Sequence, residues 1–93
     1  MKLRLSFDPN KNARNIVERD LPFTRAEDFD WATALIAEDT RKDYAEIRHQ
    51  ALGYIDEHLY VLICTFRGNT LHIISLHRAN QRERNRYATQ TQS

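Results

Sequence analysis

Arginine and histidine side chains in the last third of the chain are the residues best suited to chemistry. Arg82 and Arg86 are four residues apart on a predicted helix and share one stripe of its surface. His72 and His77 lie on the predicted strand before that helix. Guanidinium groups bind phosphate oxygens bidentately, and an imidazole with a pKa of about 6.5 moves a proton at neutral pH.

These residue types suit RNA cleavage. A base removes the 2′-OH proton, that oxygen attacks the adjacent phosphorus, cations stabilise the added charge, and an acid protonates the leaving 5′-oxygen. No metal is required, because the nucleophile is already part of the substrate. Two other interpretations stay open: a non-catalytic module that binds RNA or protein through the same arginines, and a purely structural partner-binding domain. Only the nuclease needs His72 and His77 for its activity.

Several other classes of site lack the residues they need. Gly53 and Gly68 are the only glycines, so no phosphate-binding glycine loop exists, and no metal-ligand spacing is present. Cys64 lies in an apolar run and is predicted to fill the core. Neither Ser6 nor Ser75 sits in the sharp turn of a serine nucleophile. We therefore expect neither a metal nor a cofactor.

Composition predicts one small folded domain that spans residues 1–93. The chain has 93 residues, of which 41% are hydrophobic and 29% charged. Its longest apolar run, 59–64, is far shorter than the roughly 20 residues of a membrane span. The N-terminus does not resemble a signal peptide, and the single cysteine is typical of a reducing compartment. We therefore expect a cytoplasmic protein that does not enter a membrane.

Charge is distributed unevenly along the chain. Residues 18–46 contain nine acidic side chains against four Lys and Arg, whereas residues 67–86 contain five arginines against Glu83 alone. Such a division favours one surface for a polyanion and another for a different partner.

Hydrophobic periodicity and capping signals predict an α+β domain with an antiparallel sheet, on which two N-terminal helices and one C-terminal helix pack. In the first half of the chain the predicted elements are a strand at 2–7, a helix at 9–19, a short helix opened by a capping box at Thr24 and Glu27, and a strand at 33–37. A loop at 41–46 follows, and then strands at 47–55, 59–67 and 71–77. The last predicted element is a helix that is opened by Asn80 and Glu83 and ends near Tyr87, followed by a frayed tail at 88–93.

A two-residue hairpin loop at Gly68 and Asn69 fixes a register for the strands on either side. Because cross-strand partners share a face, that register groups four side chains at the turn end of one face: Thr65, Arg67, Thr70 and His72. On the other face the same register pairs Tyr60 with His77.

Three segments, in order along almost the whole chain, resemble the BrnT toxin family. They are Phe7-Asp8-Pro9-x-Lys11-x-x-x-Asn15, Tyr44-x-Glu46-x-Arg48-x-x-x-x-Gly53 and Ile73-Ile74-Ser75-x-x-Arg78-Ala79-x-x-x-Glu83-Arg84-x-x-Tyr87. The resemblance implies a RelE-like fold and a ribonuclease toxin of a type II toxin–antitoxin system that lowers translation. It also implies a BrnA-like antitoxin that neutralises the toxin and binds operator DNA through its own domain.

The resemblance also assigns expected roles to residues. Arg67, Arg82 and Arg86 match basic positions linked to toxicity, and Glu46 and Arg48 match the Glu-x-Arg of the middle strand. We expect the catalytic residues to be Arg67 and Arg82 on the scissile phosphate, His72 or His77 as base or acid, and Glu46 as a further base candidate. The expected RNA-binding residues are Arg48, Arg78 and Arg86.

The sequence departs from the family pattern at two of these positions. His77 stands two residues before Ala79, where the family commonly has arginine, and His72 is the nearest counterpart of another family arginine. The family's Lys-His-Gly after the first helix is also replaced, by residues 18–20. These changes remove positive charge and add two proton-transfer groups.

Overall fold

Five strands form one mixed sheet in the computed structural model, which describes residues 4–91. The strands are β1 (Arg4–Phe7), β2 (Leu35–Glu38), β3 (His49–Ile55), β4 (His58–Arg67) and β5 (Thr70–Arg78), and the α-helices are α1 (Pro9–Arg19) and α2 (Gln81–Thr91). Two 3₁₀ helices, Phe23–Asp28 and Trp31–Thr33, lie between α1 and β2. The α+β class is confirmed.

The strand order is β1-β5-β4-β3-β2, and β1 pairs with β5 in parallel while the other pairs are antiparallel. The prediction of an antiparallel sheet is therefore wrong at this edge. A tight turn imposes antiparallel pairing only on strands that it joins directly. β1 and β5 lie at opposite ends of the chain, so no turn constrains their relative direction.

Helix α1 begins as the sequence predicts. Asp8 is its N-cap and accepts a hydrogen bond from the backbone N–H of Asn10 at 2.8 Å, and Pro9 follows in the first turn. The helix ends at Arg19, and its C-cap residue Asp20 adopts the left-handed backbone conformation. The predicted first strand is confirmed from Arg4 onward, and its first two residues, 2 and 3, lie outside the described residues.

The predicted second helix is a 3₁₀ helix, Phe23–Asp28, and its capping box does not form. Pro22 occupies the N-cap position and has no side-chain acceptor to offer, so the Thr24 and Glu27 signal is wrong. None of the helices within residues 4–91 has the length and apolar character needed to cross a membrane.

The capping box of α2 is confirmed. Asn80 Oδ1 accepts from the Glu83 N–H, and Glu83 Oε1 accepts from the Asn80 N–H, both at 2.8 Å. The helix extends past its predicted end near Tyr87 to Thr91, and residues 92–93 of the expected tail lie outside the described residues. Thr91 Oγ1 donates to the Tyr87 carbonyl in this last turn.

Apolar side chains form one core on each face of the sheet. On the face that α2 covers, hereafter the α2 face, the core consists of Leu52, Leu59, Val61, Ile63 and Ala79, with Tyr87 packed against it. On the opposite face, residues of the 3₁₀ segments pack onto β3, β4 and β5. Cys64 is fully buried there, and burial raises the pKa of its thiol to about 12. The prediction that Cys64 fills the core is confirmed.

A β-bulge in β5 changes which side chains share the α2 face. Ile63 pairs with Ser75 and Cys64 with Ile73, so Ile74 is the extra residue. Beyond the bulge His77 pairs with Val61, and Arg78 pairs with Tyr60. The predicted pairing of Tyr60 with His77 is therefore wrong, and His77 lies on the α2 face with His72 rather than opposite it.

Candidate active site

The β4–β5 hairpin has the predicted register at its turn. Gly68 takes a positive φ of 60°, which glycine adopts without strain, and the partners Arg67–Thr70 and Thr65–His72 are confirmed. These side chains lie on the α2 face, where Thr65 is buried, Thr70 and His72 are half buried, and Arg67 is exposed. The hairpin therefore places an arginine and a histidine together on an accessible surface.

Glu46 and Arg67 form a bidentate ion pair beside the hairpin. Arg67 Nη2 donates to Oε1 at 2.6 Å and Nε donates to Oε2 at 2.9 Å, and both side chains are about half exposed. The hydroxyl of Thr65 donates to the Ile47 carbonyl at 2.7 Å, which holds the end of the 39–48 loop beside β4. The Arg67 guanidinium lowers the pKa of Glu46, so this carboxylate stays ionised at neutral pH.

His72 lies beside this pair and is half buried. Its Nδ1 is 2.8 Å from the Ser6 hydroxyl on β1. Burial, followed by the charges of Arg67 and Lys11, lowers the pKa of His72, while Glu46 and Asp8 oppose that effect. An imidazole whose pKa lies below its usual value of 6.5 is mostly neutral at pH 7, and one of its two nitrogens then carries a lone pair. We call this group the hairpin cluster, and its members are Ser6, Lys11, Glu46, Arg67 and His72.

Arg48 lies close to the hairpin cluster, where it contributes to lowering the pKa of Glu46. Its guanidinium carbon is 4.0 Å from the centre of the Tyr44 ring, a cation–π contact that fixes the side chain against the loop. The predicted RNA-binding role of Arg48 is thus compatible with its place, although its charge already faces an aromatic ring.

The structure does not bring His77 and Arg78 to the hairpin cluster. His72 pairs with Thr65 and His77 pairs with Val61, four positions apart on β4, so the two histidines lie roughly 13 Å apart along the sheet at about 3.3 Å per residue. His77 Nε2 is 3.3 Å from both carboxylate oxygens of Glu83, the residue that caps α2. Arg78 contacts His58 Nδ1 at 2.8 Å, at the far end of the sheet from the hairpin.

Arg82 and Arg86 are exposed on α2 and share one stripe, as predicted. Arg86 lines a groove with Gln50, near the hairpin end of β3, whereas Tyr87 contacts Tyr54 near the other end. Arg86 therefore lies toward the hairpin end of the sheet, and Arg82 lies one turn earlier on α2. From Ile63, the partner of Gln50, to Arg67 the sheet extends about 13 Å.

Sequence reasoning missed two members of the hairpin cluster, Ser6 and Lys11. Parallel pairing sets Ser6 directly beside His72, a contact between residues 66 positions apart. Lys11 follows in the first turn of α1 and also lines a cleft of about 180 Å³ between α1 and the β5 bulge. The only signal for Lys11 was its place in the Asp8-Pro9-x-Lys11 segment, and no signal identified Ser6.

The cluster combines groups that phosphate-ester chemistry requires. Arg67 uses two of its five N–H donors on Glu46, which leaves three without a hydrogen bond to any residue in the range 4–91. Lys11 adds a second cation, and neutral His72 can accept a proton. An anion bound by Arg67 would therefore lie beside a base.

Comparison with known families gives one match. A family model described as "Ribonuclease toxin, BrnT, of type II toxin-antitoxin system" matches residues 7–83, a range that contains every member of the hairpin cluster except Ser6. No curated protein gives a significant match. The chain belongs to the BrnT family of ribonuclease toxins of type II toxin–antitoxin systems.

Proposed function

We propose that this protein is an active, metal-independent endoribonuclease toxin that inhibits translation, and that the hairpin cluster is its active site. The observation that carries the proposal is the Glu46–Arg67 ion pair beside a neutral His72 on an uncovered part of the sheet. A RelE-like fold and a BrnA-like antitoxin are part of the proposal, with operator DNA contacted through that antitoxin.

In this mechanism Arg67 binds the scissile phosphate through the donors that Glu46 leaves free. His72 accepts the 2′-OH proton, the 2′-oxygen forms a bond to phosphorus, and the bond to the 5′-oxygen breaks, with that oxygen taking a proton from solvent. The product is a 2′,3′-cyclic phosphate. Glu46 orients Arg67 and, because its pKa is lowered, is a weaker base than His72.

The remaining basic residues act on the RNA backbone on either side of the cleaved bond. Arg86 lines a groove with Gln50 at the hairpin end of β3, and Arg82 shares its stripe on α2. Arg48 directly precedes β3, the strand that pairs with the Arg67 strand β4. Arg78 and His77, at the far end of β5, are assigned no direct role.

Cleavage of end-labelled RNA in the presence of EDTA tests the proposal. We expect fragments that end in a 2′,3′-cyclic phosphate, and a rate about 10²-fold lower in Arg67→Ala, the typical loss when one charge-stabilising donor is removed. Arg25→Ala is the matched control, since Arg25 also forms an ion pair with two carboxylates, Asp28 and Asp56, on another part of the surface.

Other outcomes would separate the alternatives. Intact RNA that the protein still retains would favour the non-catalytic binding module. Cleavage seen only in a translating cell extract would show that the enzyme needs the ribosome, and the same extract tests whether Arg67→Ala restores protein synthesis. Equal cleavage by Arg67→Ala and Arg25→Ala would contradict the assigned site.

A further inference from the structure

Ser6 is placed beside His72 by the alternation of β1. Leu5 and Phe7 point to the opposite face, where they pack on the core, so Ser6 points to the α2 face. In the parallel register Ser6 is the partner of His72, and its Oγ lies 2.8 Å from Nδ1 of the ring. Both residues are half buried, so the contact is partly shielded from water.

We propose that Ser6 is a positioning residue for His72, and that it accepts a hydrogen bond from Nδ1–H so that Nε2 takes the 2′-OH proton. This inference rests on the proposed ribonuclease function. The proton moves from the 2′-oxygen to Nε2, and the electron pair of the O–H bond becomes the new bond to phosphorus.

The direction of the hydrogen bond follows from what each direction allows. A neutral imidazole has one donor and one acceptor nitrogen. If Nδ1–H donates to Ser6, Nε2 has a free lone pair, and the contact persists after Nε2 is protonated because the hydroxyl oxygen still accepts. If Ser6 donates to Nδ1 instead, Nε2 already carries a proton and cannot act as a base. Only the first arrangement serves base catalysis.

A hydroxyl also suits the charges around the ring. The charged groups that face His72 are Arg67 on β4, Glu46 in the loop before β3, and Asp8 and Lys11 at the start of α1. They supply two cations and two carboxylates, and burial favours the neutral ring. A carboxylate at position 6 would favour the imidazolium. Serine orients the ring without adding charge.

Nitrogen-15 NMR of the imidazole and the pH dependence of cleavage test the inference with Ser6→Ala and Ser6→Thr. We expect the wild-type protein to show a protonated Nδ1 and an unprotonated Nε2, and Ser6→Ala to show a mixture of tautomers. The kcat of Ser6→Ala should fall about 3- to 10-fold, the effect of one hydrogen bond, with KM nearly unchanged. Ser6→Thr keeps the hydroxyl and should restore both properties.

A double-mutant cycle separates positioning from a general structural effect. In a His72→Gln background Ser6→Ala should cause no further loss. An equal loss in both backgrounds, a protonated Nε2 in the wild type, or an unchanged tautomer and kcat in Ser6→Ala would each overturn the inference. A wild-type protein with the expected tautomer that cleaves neither purified RNA nor RNA in the translating extract would instead refute the proposed function, and with it the catalytic role of Ser6.

Discussion

Replacing Asn15 by alanine should cost this small protein a large part of its stability. Asn15 is buried in α1, and its Nδ2 donates to the carbonyls of Leu21 at 2.7 Å and Leu76 at 3.0 Å. The second bond joins α1 to β5, beyond the point where β1 stops pairing with that strand. Alanine removes these two bonds and a third, in which Asn15 Oδ1 accepts from Arg19 Nη1 at 2.8 Å, and it leaves two carbonyls without their donor.

The expected loss in the free energy of unfolding follows from the hydrogen bonds that the Asn15 side chain makes. A net hydrogen bond contributes about 1 kcal/mol, and a buried polar group left unpaired costs about 1–3 kcal/mol. We expect Asn15→Ala to lower the free energy of unfolding by about 2–4 kcal/mol, against a total of roughly 5–14 kcal/mol for a chain of this size. In urea, with a slope near 1.5 kcal/mol/M, the midpoint should fall by about 1–3 M.

Asn10→Ala is the control for this experiment, because Asn10 lies on the same helix with an exposed side chain. Asn10→Ala should change the free energy of unfolding by less than about 0.5 kcal/mol. If Asn15→Ala shifts the midpoint no more than Asn10→Ala while the slope is unchanged, the two bonds do not hold α1 to the sheet and the reasoning fails.

Two further predictions concern stability. At Gly53 a Cβ atom would lie 2.6 Å from the Phe29 ring, so Gly53→Ala should destabilise the fold by about 1–3 kcal/mol in urea unfolding. At Gly68 a Cβ atom would meet no neighbour within 4 Å, so only the positive φ opposes Gly68→Ala, and this variant should lose less stability than Gly53→Ala. A larger loss in Gly68→Ala than in Gly53→Ala would contradict the steric argument. Asp39, bound by Arg41, has its pKa lowered to about 2. The contribution of the Asp39 carboxylate to stability should be complete above about pH 4 and be lost as the pH falls through 2. In Asp39→Asn the free energy of unfolding should therefore fall less between pH 4 and pH 2 than in the wild type, and an equal fall in both proteins would contradict this assignment.

Local signals in the sequence predict much of this fold. The Asp8-Pro9 cap, the Asn80–Glu83 capping box and the Gly68-Asn69 turn each depend on residues within three or four positions of one another, and all are confirmed. The register of the hairpin correctly brought Arg67 and His72 to one surface. The bulge at Ile74 has no such local signature, so the position of His77 on the sheet was predicted wrongly.

The candidate site depends more on contacts that the sequence does not encode locally. Ser6 reaches His72 only because β1 adds to the sheet in parallel, and a tight turn carries no information about strands at opposite ends of a chain. Glu46 reaches Arg67 through the loop that Thr65 anchors. The shared stripe of Arg82 and Arg86 could be predicted from their spacing, since helix geometry fixes which residues share a stripe.

The parallel pairing of β1 with β5 also sets when the hairpin cluster can exist. During synthesis Ser6 and Lys11 leave the ribosome early, whereas His72 follows 66 residues after Ser6. At about 5–20 residues per second that interval lasts roughly 3–13 s. Until β5 emerges, β1 has no strand to join and the two halves of the cluster remain apart. A nascent chain is therefore without an assembled hairpin cluster until His72 has been added, and the cluster forms only when β5 is complete.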